Sequence, residues 1–121
     1  MAFPVSEDNI QSAETALGRR FPAELRERLQ INNGGDVSTA EDDWILNPVR
    51  DASDRKRSAR TANDIVKETQ RARGWPSFPT GGIAVASNGM GDLLILQPGS
   101  EEMFLWNHET GTTSHVSVDW S

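Results

Sequence analysis

Apolar residues recur at three- and four-residue spacing as far as Ala72, and at a spacing of two from Ile83 onward. Ile83 and Val85 alternate with Ala84 and Ala86. Leu93-Leu94-Ile95-Leu96 is apolar on both faces, as a central strand is. Met103-Phe104-Leu105-Trp106 reads as a third strand, and Val116, Val118 and Trp120 alternate in a fourth. Asn88-Gly89-Met90-Gly91, Gln97-Pro98-Gly99-Ser100 and His108-Glu109-Thr110-Gly111 supply the turns between them. Strands joined by turns this short form an antiparallel meander.

The first part of the chain reads as helical. Ser6 is an N-cap, with Glu7 and Asp8 beside the positive end of the helix dipole. Ile10, Ala13 and Leu17 form one apolar face, and Gly18 follows as the residue that ends the helix. Phe21-Pro22 opens a second helix, because Pro at the first helical position loses no hydrogen bond. Leu25 and Leu29 give its buried stripe, and Asn32-Asn33-Gly34-Gly35 ends it. Residues 36–60 carry the weakest pattern. Within them Trp44 to Val49 reads as a short extended segment, and Asp51 to Arg60 as an exposed loop. Thr61 reads as the cap of a third helix, with Asp64 at its N3 position and Ile65, Val66, Thr69 and Ala72 as its stripe. The expected fold is α+β: N-terminal helices packed on a twisted antiparallel sheet, with residues 1–121 forming one domain.

Charge and residue usage narrow the chemistry. The formal net charge is −6, and all 12 Lys and Arg lie between Arg19 and Arg73. Asp92, Glu101, Glu102, Glu109 and Asp119 are left without a basic residue after Arg73, a distribution that repels nucleic acid and attracts a basic partner. The basic cluster from Arg55 to Arg60 has no interleaved aromatics and sits close to an acidic run, so it reads as a solvated loop. No cysteine is present, which rules out disulfides and thiolate metal sites and fits a cytoplasmic setting. The N-terminal stretch is acidic and unlike a signal peptide. No apolar run reaches the about 20 residues of a membrane span.

No catalytic or cofactor motif stands out. Gly89 and Gly91 lack the third glycine and following helix of a dinucleotide-binding loop. His108 and His115 flank a turn, with Glu109 beside His108, and read as surface histidines rather than metal ligands. Asp92 reads as an acceptor of turn N–H groups. Neither histidine belongs to a nucleophile motif. The expectation is a protein without catalytic residues, metal or cofactor. The best binding candidate is Glu41-Asp42-Asp43 next to Trp44, which joins steering charge to an aromatic anchor. The alternative is a loop in which Trp44 is buried. Glu101, Glu102, Trp106 and Glu109 complete the candidate partner-binding set.

Three features in order resemble the SUKH superfamily: the helix ending at Leu17-Gly18, the Phe21-Pro22 helix ending in Asn33-Gly34-Gly35, and the Ile83–Leu96 hairpin with Gly91-Asp92. That superfamily includes bacterial immunity proteins and fungal cell-wall-assembly regulators linked to killer-toxin resistance. The resemblance implies a cytoplasmic antitoxin that binds and neutralises a polymorphic toxin, often a nuclease and here a basic one. The other reading is a regulatory protein-interaction module of the same fold, without a toxin. Nucleic acid and membrane are not expected as partners. The resemblance also implies a helix after the last strand, where this sequence has only Asp119-Trp120-Ser121. The expectation is then an incompletely covered sheet with Val116, Val118 or Trp120 exposed, in a monomer or weak homodimer.

Overall fold

The computed structural model describes residues 5–120; Met1–Pro4, the start of the stretch read against a signal peptide, and Ser121 lie outside it. Helix α1 spans Glu7–Leu17 and buries Ile10 and Ala13. Its C-cap is Gly18 at φ +78°, whose N–H returns to the Glu14 carbonyl. Glu14 is buried too. Its Oε2 accepts from the Phe21 N–H at 2.7 Å and from Arg26 Nε at 3.1 Å, so α1 fixes the start of α2 (Ala23–Ile31). Leu25 and Leu29 of α2 are fully buried.

The Asn-Gly-Gly turn then reverses the chain. Gly34 and Gly35 take φ of +127° and +77°, a region that side chains with a Cβ avoid. Buried Asn33 pairs with the main chain of Val49 twice: its Nδ2 donates to the Val49 carbonyl at 2.8 Å, and its Oδ1 accepts the Val49 N–H at 2.8 Å. Arg28 holds the other side of the turn. Its guanidinium donates to the carbonyls of Asn32, Gly34 and Asp36. Burial pushes its pKa down and the Asp36 charge opposes this, but a guanidinium stays protonated.

Two strands follow the turn at once, β1 (Asp36–Ser38) and β2 (Asp43–Leu46). Helices α3 (Arg55–Arg60) and α4 (Ile65–Ala72) come next. Strands β3 (Ile83–Ser87), β4 (Leu93–Leu96), β5 (Met103–Trp106) and β6 (Thr113–Val116) complete the described residues. The six strands form one antiparallel sheet in chain order. The sheet curls until Ser38 and Asp119 exchange main-chain bonds of 3.2 and 2.7 Å, so β1 meets the segment that follows β6.

A bulge in β3 sets the facing of the central strands. Ala84 pairs with Ile95 and Ala86 with Leu94, leaving Val85 as the extra residue. Asn47 secures it, donating from its N–H to the Val85 carbonyl and from Nδ2 to the Ala84 carbonyl. Ala86 therefore joins Leu94 and Leu96 in the main core, with Ile10, Leu25, Leu29, Trp44 and Ile65. Ala84, Leu93, Ile95 and Trp106 form a smaller core on the opposite face, closed by Ala72 of α4 and Phe78.

The structure corrects four expectations. The helices do not all precede the strands, because β1 and β2 lie between α2 and α3; a three-residue strand is too short to show alternation. Residues 55–60 are a helix rather than a loop. That helix buries no side chain, so it has no apolar stripe, and it stands on its cap, where Asp54 accepts the Arg57 N–H at 2.8 Å. Thr61 does not cap α4. Its hydroxyl accepts the Asp51 N–H and lies within donating range of the Arg57 and Asp51 carbonyls, while Asp64 caps α4 by accepting the Lys67 N–H. The last strand is Thr113–Val116, and Val116, Val118 and Trp120 are half-buried against the main core rather than exposed.

Asn33→Ala tests the clamp at the turn. It strands two buried main-chain groups of Val49, each worth about 1–3 kcal/mol when unpaired. Urea unfolding is expected to show a loss of about 2–6 kcal/mol. Asn33→Asp is expected to lose stability as well, because a carboxylate cannot donate to the Val49 carbonyl.

Candidate partner-binding site

The antiparallel order brings three turns to one end of the sheet: residues 39–42, 88–92 and 107–112. Thr39 and Asp42 close the first through a 2.9 Å main-chain bond. Asp42 ties it to the second, since its Oδ2 accepts from Asn88 Nδ2 at 3.0 Å while its Oδ1 accepts the Asp43 N–H at 2.9 Å. Asp92 ties the second to the third. Its Oδ1 accepts the His108 N–H at 3.1 Å and lies 2.7 Å from His108 Nδ1. Gly91 makes room for this contact, because a Cβ there would come within 2.9 Å of the His108 ring. Burial pushes the Asp92 pKa up, but the hydrogen bonds from the His108 side chain and main chain outweigh it and leave the carboxyl below its ordinary value.

Between the first turn and β6 lies a cleft of about 700 Å³. Its floor includes Trp44, Leu105 and Val116, and its walls include Glu41, Asp42, Asp92, Asn88 and Ser114. No Lys or Arg lines it. Elsewhere the carboxylates of the described residues often face arginines: Glu7 and Glu14 face Arg26, Asp51 and Asp54 face Arg57, and Glu101 faces Arg19.

The candidate residues read from the sequence separate in space. Glu41, Asp42 and Asp43 are exposed at the cleft end. Glu109 is exposed in the third turn, its Oε1 3.9 Å from His108 Nε2. Glu101 and Glu102 lie at the opposite end of β4 and β5, where Glu102 faces His115 Nε2 at 3.5 Å. The two histidines are thus engaged by different carboxylates. Among the described residues no three His, Asp or Glu side chains converge as a metal site would require.

Neither tryptophan of the set is an exposed anchor. Trp44 is 1% exposed and its Nε1 donates to Thr39 Oγ1 at 3.1 Å. Trp106 is also 1% exposed, with its Nε1 donating to the Ser77 carbonyl. The alternation of β2, which turns Trp44 and Leu46 inward and Asp43 and Ile45 outward, decides the first case. Among the described residues the exposed aromatic is Trp75, stacked on Trp106 at 5.5 Å. Sequence reading missed Asn88 and Ser114 as cleft residues, took Asp92 for an acceptor of turn N–H groups, which it is toward the His108 N–H, and took His115 for a surface histidine. Only the strand register brings these four near Glu41.

The chain thus forms an α+β fold with a curled antiparallel meander and a polar cleft at one end of its sheet. The model of the SMI1 / KNR4 family (SUKH-1) matches residues 4–121, and the chain belongs to that family. No curated protein and no solved structure matched significantly. No helix among the described residues is long and apolar enough to cross a membrane.

The Asp92–His108 contact predicts a pH response. A depressed carboxyl pKa adds stability that is complete above the unfolded value of about 3.9 and is lost as pH falls through the lower folded value. Asp92→Asn is expected to flatten the acid limb of the urea midpoint plotted against pH below about 4. An unchanged acid limb would show that Asp92 carries none of that dependence.

Proposed function

We propose that this protein is an immunity-type antitoxin, acting in the cytoplasm by binding and covering a basic toxin domain. The observation that carries the reading is the acidic cleft, free of Lys and Arg, at one end of a sheet whose strands beyond Arg73 contain no Lys or Arg. Such a surface speeds the capture of a cationic partner, and packing at the contact then sets how long the complex lasts. Family membership supports a role through protein contacts and leaves the partner open. Glu41, Asp42 and Asp43 are the residues proposed to meet the toxin first. Glu109 extends the same end, and Glu101 and Glu102 belong to a separate face.

Co-expression with the toxin domain encoded beside this gene is expected to restore growth of toxin-poisoned cells. Failure to rescue, together with capture of a housekeeping protein, would replace this reading with that of a regulatory interaction module. In stopped-flow measurements at low salt, Glu41→Lys combined with Asp42→Lys is expected to slow association by about tenfold and to change dissociation less.

A further inference from the structure

The sheet is closed at one point and open beside it. Ser38 lies opposite Asp119 in antiparallel register. Continued, that register would lay residues 39–42 along residues 118–115. Instead residues 39–42 turn back on themselves through the Thr39–Asp42 bond, and the chain leaves to form β2. β6 pairs with β5 on one side, and among the described residues no strand pairs with it on the other. From Thr113 to Ser117 this leaves an unclaimed edge about 17 Å long. The cleft runs along it.

We infer that the partner contributes an extended, lysine- or arginine-bearing segment that adds to the sheet as a further strand along the open edge of β6. This rests on the reading of the cleft as the surface for a basic protein. Two properties of the site select the occupant. The free main-chain groups of an edge strand call for another extended backbone, which satisfies them without regard to sequence. The side chains select by charge. In an added strand every second side chain would share the face of Ser114 and Val116 and enter the cleft. A Lys or Arg there can lay its stem on Leu105 and Val116 and carry its charged head to Glu41, Asp42 or Asp92. The other side chains would lie on the face of Thr113 and His115, where Glu102 is the near carboxylate. A helix could not use the edge, since its main-chain groups are already paired.

The test uses the full chain and a synthetic octapeptide of alternating lysine and valine. Its titration is followed by amide chemical shifts and amide hydrogen exchange. The expected result is shifts and slowed exchange in residues 113–117, with affinity falling steeply as salt rises. Two further peptides carry N-methyl groups at every second amide, one in each register. Only one register faces β6, so one methylated peptide should bind as before and the other about tenfold or more weakly. Equal binding of both, or shifts confined to the helices, would overturn strand addition and leave only general charge attraction. The same exchange measurement on the complex with the toxin domain separates the two proposals. Rescue of cells without protection of residues 113–117 would sink strand addition and leave the antitoxin reading intact. Peptide addition at β6 without rescue would do the reverse.

Discussion

Buried Asn33 holds the point where the helical part of the chain becomes sheet. A side-chain amide presents an N–H donor beside a carbonyl acceptor, as a main-chain strand does, so Asn33 can pair with both main-chain groups of Val49. That pairing ties the end of α2 to the end of the β2 segment, and Arg28 fixes the carbonyls of the turn between them. The position of β1 follows, since the Leu46 N–H donates to the Gly35 carbonyl. With β1 and β2 in place, β3 has a strand edge to join, and the rest of the meander builds outward from it. The two glycines matter because the turn needs positive φ twice in succession.

The curl of the sheet depends on a second local device. The bulge at Val85 changes which face Ala86 occupies and bends β3, and Asn47 satisfies the carbonyls on either side of it. A curled six-stranded sheet brings its first and last strands together, where a flat one would hold them apart. The Ser38–Asp119 contact is that meeting, and the cleft is the part of the seam that stays open. Fold and site are therefore one geometric result. The turn that leaves the seam, residues 39–42, carries two carboxylates, Glu41 and Asp42.

The polar groups at the cleft are occupied in holding turns to one another: Asp42 with Asn88, and Asp92 with His108. Charge here is arranged around an opening, and the proposed capture of a basic partner rests on that arrangement. The aromatic side chains support from beneath. Trp44 and Trp106 brace the two faces of the sheet, and Trp75 stacks on Trp106 from the surface.

Local rules made much of the fold legible. Capping residues and three-to-four spacing marked α1, α2 and the apolar stripe of α4, because a helix face is written into consecutive turns. Alternation and glycine turns marked β3, β4 and β5, and the ordered motifs pointed to the family. Three-residue β1, stripe-free α3 and the exposed residues of β6 left no such trace, since pattern reports burial and these elements bury little. The acidity of the region beyond Arg73 and of Glu41-Asp42-Asp43 was plain in the sequence. The folding inward of Trp44, the separation of Glu101 and Glu102 from Glu41, and the joining of Asn88, Asp92 and Ser114 to the cleft were decided by the tertiary structure alone. The first two follow from strand facing and strand direction, and the third from a seam between residues about 75 positions apart, a distance over which a sequence pattern carries no signal.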